Sequence, residues 1–136
     1  MQNKDCFYSA PTESIEQQQL FAWAEWLIPR RPELALMYHI PNEGKRSKAT
    51  GGRMKAEGLK DGVPDICLPV PSAPYHGLYI EMKRAGGKAT GAQKQWIQLL
   101  SEQGYRAEIC QGFEAAAMTI MKYLGMKGEI HHVKCD

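Results

Sequence analysis

Two short apolar segments separated by a turn constrain this chain more than anything else in it. Residues 65–70 (Asp-Ile-Cys-Leu-Pro-Val) and 78–83 (Leu-Tyr-Ile-Glu-Met-Lys) flank Pro71-Ser-Ala-Pro-Tyr-His-Gly77. A connection this short joins antiparallel strands, because a parallel pair needs a crossover of about a dozen residues or more. With the turn centred on Ala73, Asp65 falls directly across from Glu81. Side chains at i and i+2 of a strand share a face, so Glu81 and Lys83 point one way and Ile80 and Met82 the other.

The rest of the chain is arranged around this pair. Thr12 is a candidate N-cap, Glu13 and Glu16 suit the first turn of a helix, and Ile15, Leu20, Phe21, Trp23, Trp26 and Leu27 recur at helical spacing until Pro29 and Pro32. This predicts a first helix over 12–28. The apolar run 34–40 reads as a strand, and residues 45–60 form a basic, Gly-rich segment with a short helix around 53–57. A helix capped by Thr90 is expected over 92–103 with Trp96, Leu99 and Leu100 inward, then a strand over 105–110 and an amphipathic helix over 113–124. The expected fold class is α/β, a small mixed central sheet of about four strands flanked by helices. The organisation is an extension (1–11), one domain (12–124) and a tail (125–136).

Composition narrows the functional classes. At 136 residues one core is the expectation, and 43% apolar with 24% charged residues is a globular balance. The net charge of +2 does not by itself point to nucleic acid. Cys6, Cys67, Cys110 and Cys135 form no C-x-x-C pair, which fits reduced thiols better than a disulfide framework. No membrane span or signal peptide is expected, so the protein is read as soluble and cytoplasmic. His131, His132, Cys135 and Asp136 lack a complementary cluster and read as incidental rather than as a zinc site.

The chemistry sits on the strand pair. Directly opposed residues have Cβ atoms about 4.5 to 5.5 Å apart. Two carboxylates that close repel one another unless a cation lies between them, and Mg²⁺ takes carboxylate oxygens while retaining waters. With a metal on Asp65 and Glu81, and Lys83 orienting a water or stabilising charge on a phosphate, the arrangement is that of a hydrolytic phosphodiesterase. The bland alternative is a solvated face with a cross-strand ion pair. A second Glu-x-Lys, Glu43-Gly44-Lys45, lies on a turn with no strand face to align it.

Pro64-Asp65 followed by Glu81-Met-Lys83 resembles the PD-(D/E)XK nuclease motif, and the wider pattern resembles the VRR-NUC (virus-type replication-repair nuclease) domain. The supporting segments are Glu13-x-x-x-Gln17, His39-Ile-Pro-Asn42 with Gly44-Lys-Arg46, Gly62-Val-Pro-Asp65, Gly77 to Lys83, Gln93-x-x-Trp96 and Gly104-Tyr105. The resemblance implies a restriction-endonuclease-like fold, dependence on Mg²⁺ or Mn²⁺, and action on structured DNA in viral or bacterial replication and repair. It assigns Asp65 and Glu81 as metal-binding carboxylates and Lys83 as the catalytic lysine. Glu13 matches a further carboxylate of helix one, and Gln93 a polar residue beside the lysine. Glu16 lies nearly on the face of Glu13 and is the alternative. Glu43 departs from the Asn-Gly-Gly type of turn expected of the family.

Between Lys45 and Lys60 there are six basic residues against one acid, Glu57. Asn42, Lys45, Arg46, Lys48, Arg53 and Lys55 are therefore the candidate DNA-binding residues. The expectation is a metal-dependent endonuclease acting on branched DNA, a Holliday-junction resolvase, in a bacterial cell or phage-infected host. Two cuts per junction call for a homodimer, with Trp23, Trp26 or the Met-rich last helix and tail at the interface. The rival readings are a non-catalytic DNA-binding module and a sequence-specific restriction-type nuclease.

Overall fold

The computed structural model describes residues 11–41 and 48–130. Among these residues four strands form one sheet in the order β1 (Tyr38–His39), β2 (Ile66–Leu68), β3 (Leu78–Lys83), β4 (Arg106–Gln111). The β1–β2 and β2–β3 pairs are antiparallel and β3–β4 is parallel. The helices are α1 (Glu13–Leu27), α2 (Lys48–Ala56), α3 (Gly91–Glu102) and α4 (Phe113–Tyr123). This is the mixed α/β architecture expected, with α3 as the crossover that a parallel β3–β4 pair requires.

The hairpin register sets up everything that follows. Ile66 pairs with Ile80, Cys67 with Tyr79 and Leu68 with Leu78. Ile66, Leu68, Leu78, Ile80 and Met82 face α1 and α4 and join Leu20, Trp23, Ala116 and Ile120 in the core. Burying each large aliphatic side chain stabilises the fold by about 1.5 to 3 kcal/mol. Asp65, Cys67, Tyr79, Glu81 and Lys83 alternate onto the opposite face, toward α3.

Local chemistry explains the helix ends. The Thr12 side chain accepts from the Ile15 amide at 3.2 Å and caps α1. Gly112, at φ +87°, turns the chain from β4 into α4, and Glu16 of α1 accepts from the Phe113 amide at 2.5 Å. Glu16 is thus a side-chain cap on a helix 97 residues away in sequence.

Four expectations are corrected. Residues 34–40 are not one strand: Pro32–Leu36 is a 3-10 helix, and only Tyr38–His39 pairs in the sheet. Leu34 and Met37 are buried while Leu36 is 55% exposed, so the apolar period there is three, which a run this short does not reveal. Strand β2 ends at Leu68, because Pro69 has no amide to donate and the Val70 amide turns back to the Leu68 carbonyl at 2.8 Å. Leu99 does not point inward. It is 49% exposed, because α3 covers the sheet with the stripe Gln93, Trp96, Ile97 and Leu100, all half-buried. Trp23 is 2% exposed and packs edge-on to Phe113, so it is a core residue and not an interface one; Trp26, at 46%, remains on the surface.

Candidate active site

Asp65 immediately precedes β2, and the hairpin register continued by one residue places it across from Glu81. Both are buried, at 8% and 2% exposure, the only charged side chains in that state among the described residues. Asp65 Oδ2 accepts from the Met82 amide at 2.8 Å, which ties the first carboxylate to the strand carrying the second. The His39 ring lies 2.8 Å from the Asp65 carbonyl oxygen through Nδ1. A carbonyl only accepts, so Nδ1 carries the proton in this contact.

Lys83 shares the Glu81 face, with Nζ 3.5 Å from Glu81 Oε1 and 4.0 Å from Glu13 Oε1. The two acids of the first turn of α1 therefore have different structural roles. Glu13 meets the lysine, and Glu16 caps α4. Glu13, expected among the metal-binding carboxylates, has its Oε1 4.0 Å from Lys83 Nζ; among the described residues no group of three His, Cys, Asp or Glu side chains converges.

Gln93 reaches the same carboxylate from α3. Its Nε2 donates to Glu81 Oε1 at 2.8 Å, while its Oε1 accepts from the Thr90 amide at 2.8 Å. Thr90 Oγ1 in turn accepts from the Gln93 amide at 3.2 Å, completing a capping box. The orientation of the Gln93 amide is dictated by its neighbours, since the flipped form would set oxygen against carboxylate and nitrogen against N–H. The pattern Thr90-x-x-Gln93 is a legible capping-box signature, and it was the available signal that Gln93 does more than sit exposed in a first turn.

Glu81 Oε2 is buried and has no hydrogen-bond partner among the described residues. Burial pushes the Glu81 carboxyl up to about 8; the facing Asp65 adds to the rise, and Lys83 opposes it. A carboxylate is costly in such a place unless something positive compensates it. Oε1 is held by Gln93 and Lys83, and Oε2 by neither. Two hard oxygen donors with an orphaned buried oxygen fit a divalent cation such as Mg²⁺ or Mn²⁺.

Of the candidate DNA-binding residues, Asn42, Lys45 and Arg46 lie outside the described residues. Lys48 opens α2, and Arg53 and Lys55 are exposed in its last turn, Arg53 being 3.6 Å from Glu57. The segment returns to the site through Gly62, at φ +86°, where an added Cβ would lie 2.6 Å from the Ala92 carbonyl carbon. Only glycine lets the chain pass this close to the first turn of α3 on its way to Asp65. The tail residues His131, His132, Cys135 and Asp136 also lie outside the described residues.

A mixed four-stranded sheet that holds a buried carboxylate pair and a lysine on one face, flanked by helices, defines the restriction-endonuclease-like α/β class. The family model of the VRR-NUC domain matches residues 16–114, and the chain belongs to that family, a nuclease family acting on DNA. A solved structure described as a VRR_NUC domain protein superposes with a TM-score of 0.72 at 28% identity, covering 87% of this chain and 92% of that one. No curated protein matches the chain. Among the described residues no helix is long and apolar enough to cross a membrane.

Proposed function

We propose that the protein is a metal-dependent endodeoxyribonuclease that hydrolyses phosphodiesters in branched DNA, with Asp65 and Glu81 holding Mg²⁺ or Mn²⁺ and Lys83 as the catalytic lysine. The observation that carries this reading is the buried Glu81, across the hairpin from Asp65, whose Oε2 has no hydrogen-bond partner among the described residues. When bound, the cation lowers the pKa of a water and neutralises charge on the phosphate.

The chain's own residues do the rest. Gln93 holds Glu81 Oε1, so the carboxylate is presented through Oε2. The Met82 amide fixes Asp65 through Oδ2. Lys83 supplies a positive charge beside the scissile phosphate, where charge develops in the transition state. Glu13, opposite Lys83 Nζ, is a positioning residue for the ammonium. Asn42, Lys45, Arg46, Lys48, Arg53 and Lys55 are assigned to backbone phosphates, the sequence-independent part of DNA affinity.

A four-way junction is the substrate we favour within branched DNA. It needs two cuts and this domain has one site, so the working form is a homodimer. Exposed Trp26 and Met118, at 46% and 58%, are surfaces available to a second copy. The test is cleavage of labelled four-way junction, splayed arm, flap and linear duplex with Mg²⁺, Mn²⁺ or EDTA, alongside Lys83→Ala. Paired cuts confined to the junction, lost with EDTA and with the variant, are expected. Metal-independent cutting, or DNA binding with no cutting under any metal, would reject the proposal and favour the binding module. Cuts at fixed sites in linear duplex would favour a restriction-type enzyme.

A further inference from the structure

A cleft of about 770 Å³ is lined by Thr12, Glu13, Ser14, Gln17, His39 and Arg84. Its walls are tied to the site already described. Glu13 meets Lys83, His39 is hydrogen-bonded to the Asp65 carbonyl, and Arg84 follows Lys83 in the chain. We infer that this cleft is a second phosphate subsite, in which Arg84 holds a backbone phosphate of the DNA strand next to the one that is cut. The inference rests on the nuclease reading and adds a substrate contact to it.

Among the described residues Arg84 is the one Lys or Arg side chain that lines this cleft. Lys83 is flanked by Glu13 and Glu81 at 4.0 and 3.5 Å. Arg84 takes part in none of the ion pairs among the described residues, although it lines a cleft that also contains a carboxylate. That carboxylate, Glu13, is turned to Lys83. A guanidinium that lines a polar cleft and has no ion-pair partner among the described residues is matched by an anion that only accepts hydrogen bonds, which describes a phosphodiester.

Ser14 adds a donor to the lining. Ser14 Oγ accepts from Gln18 Nε2 at 3.1 Å, which leaves its own O–H free to donate. Residues 83–101 carry Lys83, Arg84, Lys88 and Lys94 and no acid, so the chain that runs on from Arg84 is basic. The cleft volume accommodates a nucleotide unit rather than a lone ion.

The experiment measures binding of the full chain to fluorescent four-way junction and duplex DNA in EDTA across a salt series, for wild type, Arg84→Ala and Arg84→Lys. Arg84→Ala is expected to weaken both DNAs about five- to ten-fold and to make the slope of log affinity against log salt shallower by about 0.9, the share of one phosphate contact. Arg84→Lys should keep the slope and lose part of the affinity. The thermal midpoint should not move, since Arg84 is exposed. Wild-type affinity and slope in Arg84→Ala would overturn the subsite alone. Absence of DNA binding by the wild-type chain would overturn the nuclease reading as well. Inorganic phosphate is the remaining arm: stabilisation of wild type by millimolar phosphate, lost in Arg84→Ala with DNA binding unchanged, would assign the cleft to a free anion and overturn the inference.

Discussion

Gln93 donates its side-chain amide to Glu81 while its carbonyl oxygen closes the capping box with Thr90. The residue that starts α3 is therefore also the residue that orients the buried carboxylate, and helix initiation and site geometry are one arrangement. Thr90→Ala should cost about 1 kcal/mol of stability, the usual loss for a helix cap, and should also slow cleavage by releasing Gln93. Gln93→Glu should abolish metal-dependent cleavage, because it sets a carboxylate against Glu81 Oε1. Chemical denaturation and single-turnover cleavage check both. Full cleavage by Gln93→Glu would remove Gln93 from the site.

Glu81 also makes the metal-free protein sensitive to pH. Its carboxyl lies at about 8 in the fold against 4.5 as a free group, through burial first and the facing Asp65 second. Below pH 4.5 it is neutral in both states and its contribution is fully present. Between that value and about 8 the unfolded chain ionises while the fold keeps the proton, so stability falls as pH rises through this window. In EDTA the wild type should therefore lose more stability from pH 5 to about 8 than Glu81→Gln does, with Mg²⁺ restoring part of the loss in wild type only. Urea midpoints at the two pH values give the answer, and parallel curves for the two proteins would contradict it.

The first-turn acids of α1 should separate cleanly. Glu16→Ala removes the carboxylate that accepts from the Phe113 amide and should cost about 1 to 2 kcal/mol of stability with cleavage retained under conditions where the variant is folded. Glu13 has a side chain 43% exposed, and Glu13→Ala should change stability by less than about 0.5 kcal/mol while lowering cleavage about ten-fold through Lys83. Thermal melts and initial rates on the same two proteins test the pair. The reverse pattern would transfer the site role to Glu16.

Gly62 is the backbone position with least tolerance. At φ +86°, with a Cβ site 2.6 Å from the Ala92 backbone, Gly62→Ala is expected to lose at least about 2 kcal/mol and to lower the thermal midpoint by several degrees. Gly86→Ala is the comparison: it also has a positive φ, +77°, yet nothing lies within 4 Å of its Cβ site, so it should lose less. Equal midpoints for the two variants would show that the approach to α3 does not matter.

Much of this was legible in the residues alone. Alternation along 78–83 separated Ile80 and Met82 from Glu81 and Lys83, and a short turn sufficed to align Asp65 with Glu81, because strand period and hairpin register are local properties. The helices of 13–27, 91–102 and 113–123 were likewise written in caps and spacing. The helical geometry of Pro32–Leu36, the outward turn of Leu99 and the burial of Trp23 were not, since each depends on which neighbour covers which face. The division of labour between Glu13 and Glu16 belongs to the same class. The two acids are nearly equivalent on an isolated helix, and only the placement of β3 and α4 against α1 sends one to Lys83 and the other to Phe113. Sequence determines what a residue can do and which way its own element turns it; the long-range packing of α1, β3, α3 and α4 decides which groups meet, because those contacts join residues that no local period relates.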